Sequence, residues 1–332
     1  MRPRLRAARV GVVIVDHDSI ADTEGCLASL ETSQELDMAV VVVDNSEQEG
    51  SAGRLRAGTG ARAEVLPGGG NSGFAGGANR GIRHVLEQGC DYVWLLNPDT
   101  RVEPATLPRL LQHLDEVPDC AVVGPRIIEP GDPPTVWFDG GVVALNRHGE
   151  TRHVGQGVSL DEAPAPRVLD VDYVTGASLL TRRTVLETVG LLPEHYFLYF
   201  EETEWCHRVR AAGWRVMVDQ RARMLHHKRS SGDLPSPYHL YYMVRNRYLF
   251  VQRVLGGDPE AALAQMQRTW LRNWRRRVTA AAPEWLPEFD ALVELAVADA
   301  RAGRDGRSEA VSHVPWPDDR GEAPDESAER AD

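Results

Sequence analysis

Over its first 125 residues the chain alternates short apolar runs with stretches of helical character. Val10–Val15 and Ala39–Val43 are apolar throughout, as strands buried on both faces must be. Arg62–Leu66 and Tyr92–Leu96 are two further strand candidates, and helices are expected at about Asp22–Glu31, Ala75–Glu87 and Pro104–Glu116. Such alternation predicts an α/β fold, a mostly parallel central sheet flanked by helices. Ligands of these sheets bind beyond the carboxyl ends of the strands. Polar residues fall at those ends: Asp16 after the first strand, Asp44 after the second, Asn97 and Asp99 after the fourth.

Beyond Pro125 the pattern changes. Glycine, proline and short β segments (Val136–Ala144, Val168–Leu180) lead to a helix expected from Glu201 to Ala212, with Gly213 as its stop. From Tyr238 the chain reads as helical through Leu255, then over Pro259–Ala281 and Glu284–Arg301. The expected organisation is a catalytic domain over 1–235 with halves at about 9–125 and 126–235. A C-terminal helical region over 236–302 and a disordered acidic tail over 303–332 follow.

The formal net charge of -12 argues against a nucleic-acid partner, which demands clustered positive charge. The four cysteines, Cys26, Cys90, Cys120 and Cys206, form no CxxC pair, so neither a zinc site nor a disulfide framework is expected. Val10–Val15 is too short for a signal-peptide core and is broken by Asp16, and no run approaches a bilayer span. A cytoplasmic protein is expected, with peripheral membrane contact open. Trp270, Trp274, Arg272, Arg275 and Arg276 suit either core packing or anionic lipid, and packing is the commoner use. Oligomeric state has no signature here.

Four polar segments carry the chemistry. VVVVDNSEQEGS sets Asp44 and Asn45 after a buried strand, where a carboxylate can accept a pyrimidine N–H, although such residues also suit an ordinary turn. GGGNSGFAGGANRGI packs seven glycines around Asn71 and Asn79. Glycine costs about 0.8–1 kcal/mol inside a helix, so this density implies close backbone approach to something, with phosphate and ribose at a helix N-terminus as one reading and a surface loop as the other. In YVWLLNPDTRVEP a strand delivers Asn97 and Asp99, and one carboxylate there can ligate a hard cation. HYFLYFEETEWCHRVRAAGW places Glu201, Glu202 and Glu204 at a helix start, which the helix dipole also favours, behind aromatics able to wall a sugar pocket. Last, ARMLHHKRSSG ends a strand on two histidines, only one of which can point inward, with Lys228 and Arg229 suited to phosphate or solvent.

In this order, the segments VVIVDHDS, DNSEQEGS, NSGFAGGANRG, NPDT, FLYFEETEWCHRVRAAGW and HHKRSSG resemble glycosyltransferase family 2, the inverting group with the GT-A fold. The likeness runs over about residues 9–250, and NPD, FLYFEE and YYMVRNRYLF look most like bacterial rhamnosyltransferase-type members. It implies a nucleotide-diphosphate sugar donor (dTDP- or UDP-linked) and a hydroxyl acceptor on a saccharide, a lipid-linked sugar or a small molecule. By the same resemblance Asp44 recognises the base, while Asp16, Asn45, Asn71, Gly73, Asn79 and Asn97 border the nucleotide. Asp99 would hold Mg²⁺ or Mn²⁺, His226 is a further ligand, and Glu202 with its neighbour Glu201 supplies the catalytic base. The chain departs from the family pattern at Asp16-His17-Asp18, where an aromatic and Asn are usual, at Asn97 for a first Asp, and at Glu201-Glu202 for Glu-Asp. A sugar-1-phosphate nucleotidyltransferase would carry a glycine-rich basic signature after its first strand, which VVIVDHDS lacks. A non-catalytic nucleotide-sugar binder is the other alternative.

Overall fold

A computed structural model of the chain describes residues 8–33, 36–144, 148–227 and 234–314. Its strands are β1 (Val10–Asp16), β2 (Met38–Asp44), β3 (Glu64–Pro67), β4 (Tyr92–Leu96), β5 (Thr100–Val102), β6 (Cys120–Glu129), β7 (Thr135–Phe138), β8 (Gly141–Ala144), β9 (Glu150–His153), β10 (Val168–Asp170), β11 (Ser178–Arg182) and β12 (Arg215–His226). Its α-helices are α1 (Ile20–Leu30), α2 (Ser51–Thr59), α3 (Gly73–Glu87), α4 (Thr106–Glu116), α5 (Arg183–Val189), α6 (Glu201–Ala211), α7 (Pro237–Phe250), α8 (Pro259–Met266), α9 (Arg272–Ala281), α10 (Leu286–Arg301) and α11 (Glu309–Ser312).

The described residues divide into two compact units, the first ending with β12 and the second holding His148, Gly149 and the helices from α7 on. In the first unit one sheet runs β10-β12-β6-β11-β4-β1-β2-β3, with β5 added to β12 and β7 to β6. β3, β2, β1 and β4 are mutually parallel, as the alternating pattern requires, while β11 enters antiparallel between β4 and β6. Val10, Val12, Val13 and Ile14 of β1 are all essentially inaccessible. Each such side chain contributes about 1.5–3 kcal/mol of burial, which fixes the register. That register sets Asp16 beside Asp44 and Ile14 beside Leu96, so the polar residues that follow share one edge of the sheet.

The long strands β6 and β12 were not expected at their full length. Gly124 and Pro125 both lie within β6, a central strand where proline is seldom tolerated. The pairing explains how. β12 shifts register between Asp219 and Arg223, opposite Pro125, and such an irregularity is where a strand tolerates a missing N–H donor. A Cβ on Gly124 would lie 2.5 Å from Val174 Cγ1, so the glycine is required by packing.

In the second unit, α7 is capped by the Ser236 hydroxyl accepting from the His239 N–H at 3.1 Å, and α8 by Asp258 accepting from Glu260 and Ala261. Both carry proline at the first helical position, where no N–H is needed. Leu240, Val244 and Phe250 of α7 and Phe289, Leu292 and Ala296 of α10 are buried, and these two helices pack together. Disorder was expected from 303 onward. Residues up to 314 are described and include α11, whose Ser312 accepts from the Tyr238 hydroxyl at 3.2 Å. The rest of that tail lies outside the described residues.

α3 lies unusually close to the sheet. A Cβ on Gly77 would sit 2.7 Å from Val15 Cγ1, and one on Gly81 2.3 Å from Val13 Cγ1. These glycines serve helix–strand contact, which outweighs their cost in helix propensity. Gly81→Ala is therefore expected to lower stability by about 1–3 kcal/mol through overpacking. On propensity alone it would raise it. Urea denaturation distinguishes the two signs.

Candidate active site

β4 ends at Leu96, and the turn Asn97-Pro98-Asp99 carries the chain into β5, which pairs antiparallel with the end of β12. That pairing sets Thr100 opposite His226 and lets the His227 N–H donate to the Asp99 carbonyl at 2.7 Å. Side chains alternate along β12. His226 is buried and His227 exposed, which settles which histidine turns inward. His226 Nε2 lies 3.0 Å from Asp99 Oδ1, and its ring rests on Trp137, centroids 4.4 Å apart. His226 Nδ1 is buried with no partner among the described residues.

Two ligand atoms on adjacent corners of an octahedron of about 2.1 Å bonds are about 3.0 Å apart. The Asp99–His226 pair has that separation, and the Asp99 side chain keeps 22% of its surface open to solvent. Among the described residues no group of three His, Cys, Asp or Glu side chains converges to hold a metal. The 3.0 Å contact is a hydrogen-bonding distance as well, and the pair could offer a divalent ion two ligand atoms at most.

The second acidic group comes from the start of α6. Glu202 takes N–H groups of Gly176 and Thr203 and its own on its carboxylate. The next residue, Ala177, accepts the N–H of Asn97 at 3.2 Å. One short segment therefore ties Glu202 to the turn that bears Asp99. Burial raises the Glu202 carboxyl above its ordinary range, and these N–H groups hold it partly down. Glu201 is more deeply buried. Burial and then the adjacent Glu202 charge push its carboxyl well up, against the N–H of Tyr199. Both glutamates keep one buried oxygen, Oε2, without a hydrogen-bond partner among the described residues.

The approach to these glutamates is strained. Phe197 (φ 69°, ψ -58°), Tyr199 (φ 64°) and Phe200 (φ 77°) all have positive φ. Such backbone costs about 1–3 kcal/mol per residue and gathers at functional sites. It is held from outside: the Phe197 carbonyl accepts the Phe74 N–H at 2.9 Å, and a Cβ on Gly73 would stand 2.2 Å from that carbonyl oxygen. The expectation of an aromatic sugar wall here meets a correction. Tyr196, Phe197 and Phe200 are core residues, and only Tyr199, at 36% exposure, reaches solvent. Trp205 is fully buried, donating to the Gly190 carbonyl.

The glycine-rich loop is organised by asparagines. Asn45 donates to Asn71 Oδ1 and the Gly73 carbonyl and accepts from Ser72, so both ends of its amide are used within the loop. Asn79 is likewise committed, exchanging hydrogen bonds with Leu192 and donating to Glu194. Asp16 accepts from the Ser19 and Thr23 hydroxyls at the start of α1. These three side chains are almost inaccessible, and their hydrogen bonds position the loops. Asn71 is better placed: its Nδ2 lies 3.0 Å from His17 Nε2 at the mouth of the strand edge. Asp44 binds the Ser46 N–H and Ser51 hydroxyl, which leaves acceptor capacity on a carboxylate. Asn97 is half-buried at the end of β4. Lys228 and Arg229 lie outside the described residues.

Sequence reasoning passed over an aromatic group beside His226. Trp137, Phe138, His153 and Tyr173 pack on one another with centroids 4.9–6.3 Å apart, and the Glu202 charge acts on Tyr173. The group joins the two acidic positions. Its only signal in sequence is the WF pair closing β7.

A family model described as Glycosyl transferase family 2 matches residues 12–175, which takes in Asp16, Asp44, the glycine-rich loop and Asp99. Glu201, Glu202 and His226 lie past its end. The chain is 27% identical over 256 residues to N-acetylglucosaminyl-diphospho-decaprenol L-rhamnosyltransferase of Mycobacterium tuberculosis, covering 72% of this chain and 83% of that protein. It is 26% identical over 194 residues to dTDP-rhamnosyl transferase RfbF of Shigella flexneri, covering 55% and 61%. Among solved structures, GalNAc-T7 with UDP, GalNAc and Mn²⁺ superposes with a TM-score of 0.55 at 14% identity, over 84% of this chain and 58% of that one. Mannosyltransferase PcManGT from Pyrobaculum calidifontis, in complex with GDP-Man and Mn²⁺, gives 0.51 at 14%, over 92% and 78%. Both structural likenesses establish the fold, GT-A. The family-model match and these named relatives make this chain a nucleotide-sugar-dependent glycosyltransferase, similar to family 2 and rhamnosyltransferase-like in sequence.

Proposed function

We propose that the protein transfers a deoxyhexose, rhamnose first among candidates, from a dTDP- or UDP-linked donor to a saccharide hydroxyl by metal-assisted single displacement with inversion. The observation that carries this reading is the link from Glu202 through Gly176 and Ala177 to Asn97, which sets a raised carboxylate and the Asp99–His226 pair at one strand edge. Relatives whose names print a rhamnosyl donor and a diphospho-decaprenol acceptor support the sugar, and support an acceptor carried on a lipid.

In this mechanism Asp44 takes the N–H of the donor's pyrimidine, and Asn71 with His17 borders the ribose. Asp99 and His226 would hold Mg²⁺ or Mn²⁺, with the imidazole nitrogen favouring Mn²⁺. A bound ion would supply charge neutralisation for the departing nucleoside diphosphate. Glu202 takes the proton of the acceptor hydroxyl as that oxygen attacks the anomeric carbon. Burial makes it a stronger base than a solvated carboxylate. Glu201, buried behind it, keeps its proton to higher pH than a solvated carboxyl and so leaves less negative charge to repel the base.

Glu202→Gln is expected to lower turnover by about 10²- to 10⁴-fold. The wild-type rate should fall as pH drops through a pKa above the usual carboxylate value, because the base must be ionised. Turnover of Glu202→Gln near that of wild type would remove Glu202 from the role. For the metal, EDTA should abolish transfer and Mn²⁺ restore it, while Asp99→Ala should raise half-saturating Mn²⁺ by roughly tenfold or more. Undiminished transfer in chelator contradicts this part.

Glu201 gives a stability test with a defined sign. Its raised carboxyl favours the folded state fully below the unfolded value of about 4.3, and that contribution is lost as pH rises through the folded value. Glu201→Gln should therefore have a higher Tm than wild type at pH 8 and lose this advantage near pH 4. A lower Tm across the whole range would show that ionised Glu201 stabilises the fold.

A further inference from the structure

In the second unit the stretch between Glu260 and Glu284 contains five arginines and not one acidic residue, in a chain of net charge -12. Arg268, Arg272, Arg275 and Arg276 stand at i, i+4, i+7 and i+8, which is one face of a helix, and all four are exposed. Arg275 is paired with Asp290 of α10 at 2.9 Å. Arg268, Arg272 and Arg276 have no ion-pair partner among the described residues. The tryptophans do not share this face. Trp270 and Trp274 turn toward α7, their rings 5.5 and 6.3 Å from His239, and Arg277 covers Trp274 at 5.0 Å. The structure thus separates what the sequence could merge into one amphipathic surface. Aromatic packing anchors the helix, while the arginines stand exposed, Arg275 with the Asp290 carboxylate beside it.

We infer that Arg268, Arg272, Arg275 and Arg276 dock the protein electrostatically on an anionic bilayer surface. Three observations favour a membrane over nucleic acid: the charge lies on one helix face, no aromatic ring is offered there for base stacking, and the rest of the chain is acidic and would be repelled along a polyphosphate backbone. With the indoles turned inward, nothing inserts into the acyl region. The contact is therefore reversible and governed by ionic strength. A lipid-carried acceptor, as proposed above, would lie at that surface. Docking stands apart from that reading, since its test measures binding and not transfer.

The test is co-sedimentation of the full chain with vesicles of neutral phosphatidylcholine and with vesicles containing 30 mol% phosphatidylglycerol, as a flag for anionic charge. Wild type should partition onto the anionic vesicles only and be released by 0.5 M NaCl, an ionic strength at which the Debye length is a few ångströms. The triple variant R268Q/R272Q/R276Q should bind about a hundredfold more weakly, from about 1 kcal/mol per cationic side chain. Its Tm and donor hydrolysis should match wild type. No binding by wild type, equal binding to both vesicles, salt-resistant binding, or undiminished binding by the triple variant would each overturn the inference. So would retention of wild type by duplex DNA in preference to the vesicles.

Discussion

Everything proposed for this site depends on two backbone N–H groups far apart in sequence, those of Gly176 and Asn97. The Gly176 N–H reaches the Glu202 carboxylate, and the Asn97 N–H reaches the Ala177 carbonyl. Together they fasten the start of α6 to the end of β4. They add to the β4–β11 pairing, which sets Ser178 beside Leu96, in fixing the start of this helix to the end of that strand. A buried carboxylate left without such donors would cost several kcal/mol or simply stay protonated. With them, Glu202 is destabilised enough to be basic and stabilised enough to ionise.

The same economy runs through the aromatic segment before Glu201. Three non-glycine residues with positive φ are expensive, and the chain tolerates them because neighbours leave no alternative. Gly73 lacks the Cβ that would collide with the Phe197 carbonyl, and Phe74 supplies that carbonyl with a donor. Gly77 and Gly81 let α3 settle onto Val15 and Val13, which holds the loop that holds Phe197. Part of the glycine density, Gly77 and Gly81, is the means of bringing a helix against a sheet. Gly69 and Gly70, with positive φ, are the part of the loop that stays open.

Much of the fold was legible because its signal is local. Runs such as Val10–Val15 and Tyr92–Leu96 are apolar at successive positions, and only a strand covered on both faces uses that pattern. β6 was not legible at its full length, since proline is seldom tolerated in a central strand and Pro125 fits only through the irregular pairing with β12. The site divides in the same way. That one of His226 and His227 must face inward follows from strand alternation; that the inward one meets Asp99, 127 positions away, does not. Asn45, Asn79 and Asp16 were expected at the nucleotide from the family resemblance alone. The hydrogen bonds they make, to the glycine loop, to the Leu192 backbone and to the Ser19 and Thr23 hydroxyls, depend on partners that sequence cannot supply.

The central claim is geometric: one sugar carbon fits between the Asp99–His226 pair and the Glu202 carboxylate. Anomalous diffraction at the manganese edge, from crystals grown with Mn²⁺ and an unreactive dTDP-sugar analogue, reads it directly. The account predicts a manganese peak bonded to Asp99 and the diphosphate at about 2.0–2.3 Å. The anomeric carbon should lie between that diphosphate and Glu202, with room for an acceptor oxygen at about 3–3.5 Å. A manganese peak away from Asp99, or Glu202 on a surface the sugar does not face, would contradict it.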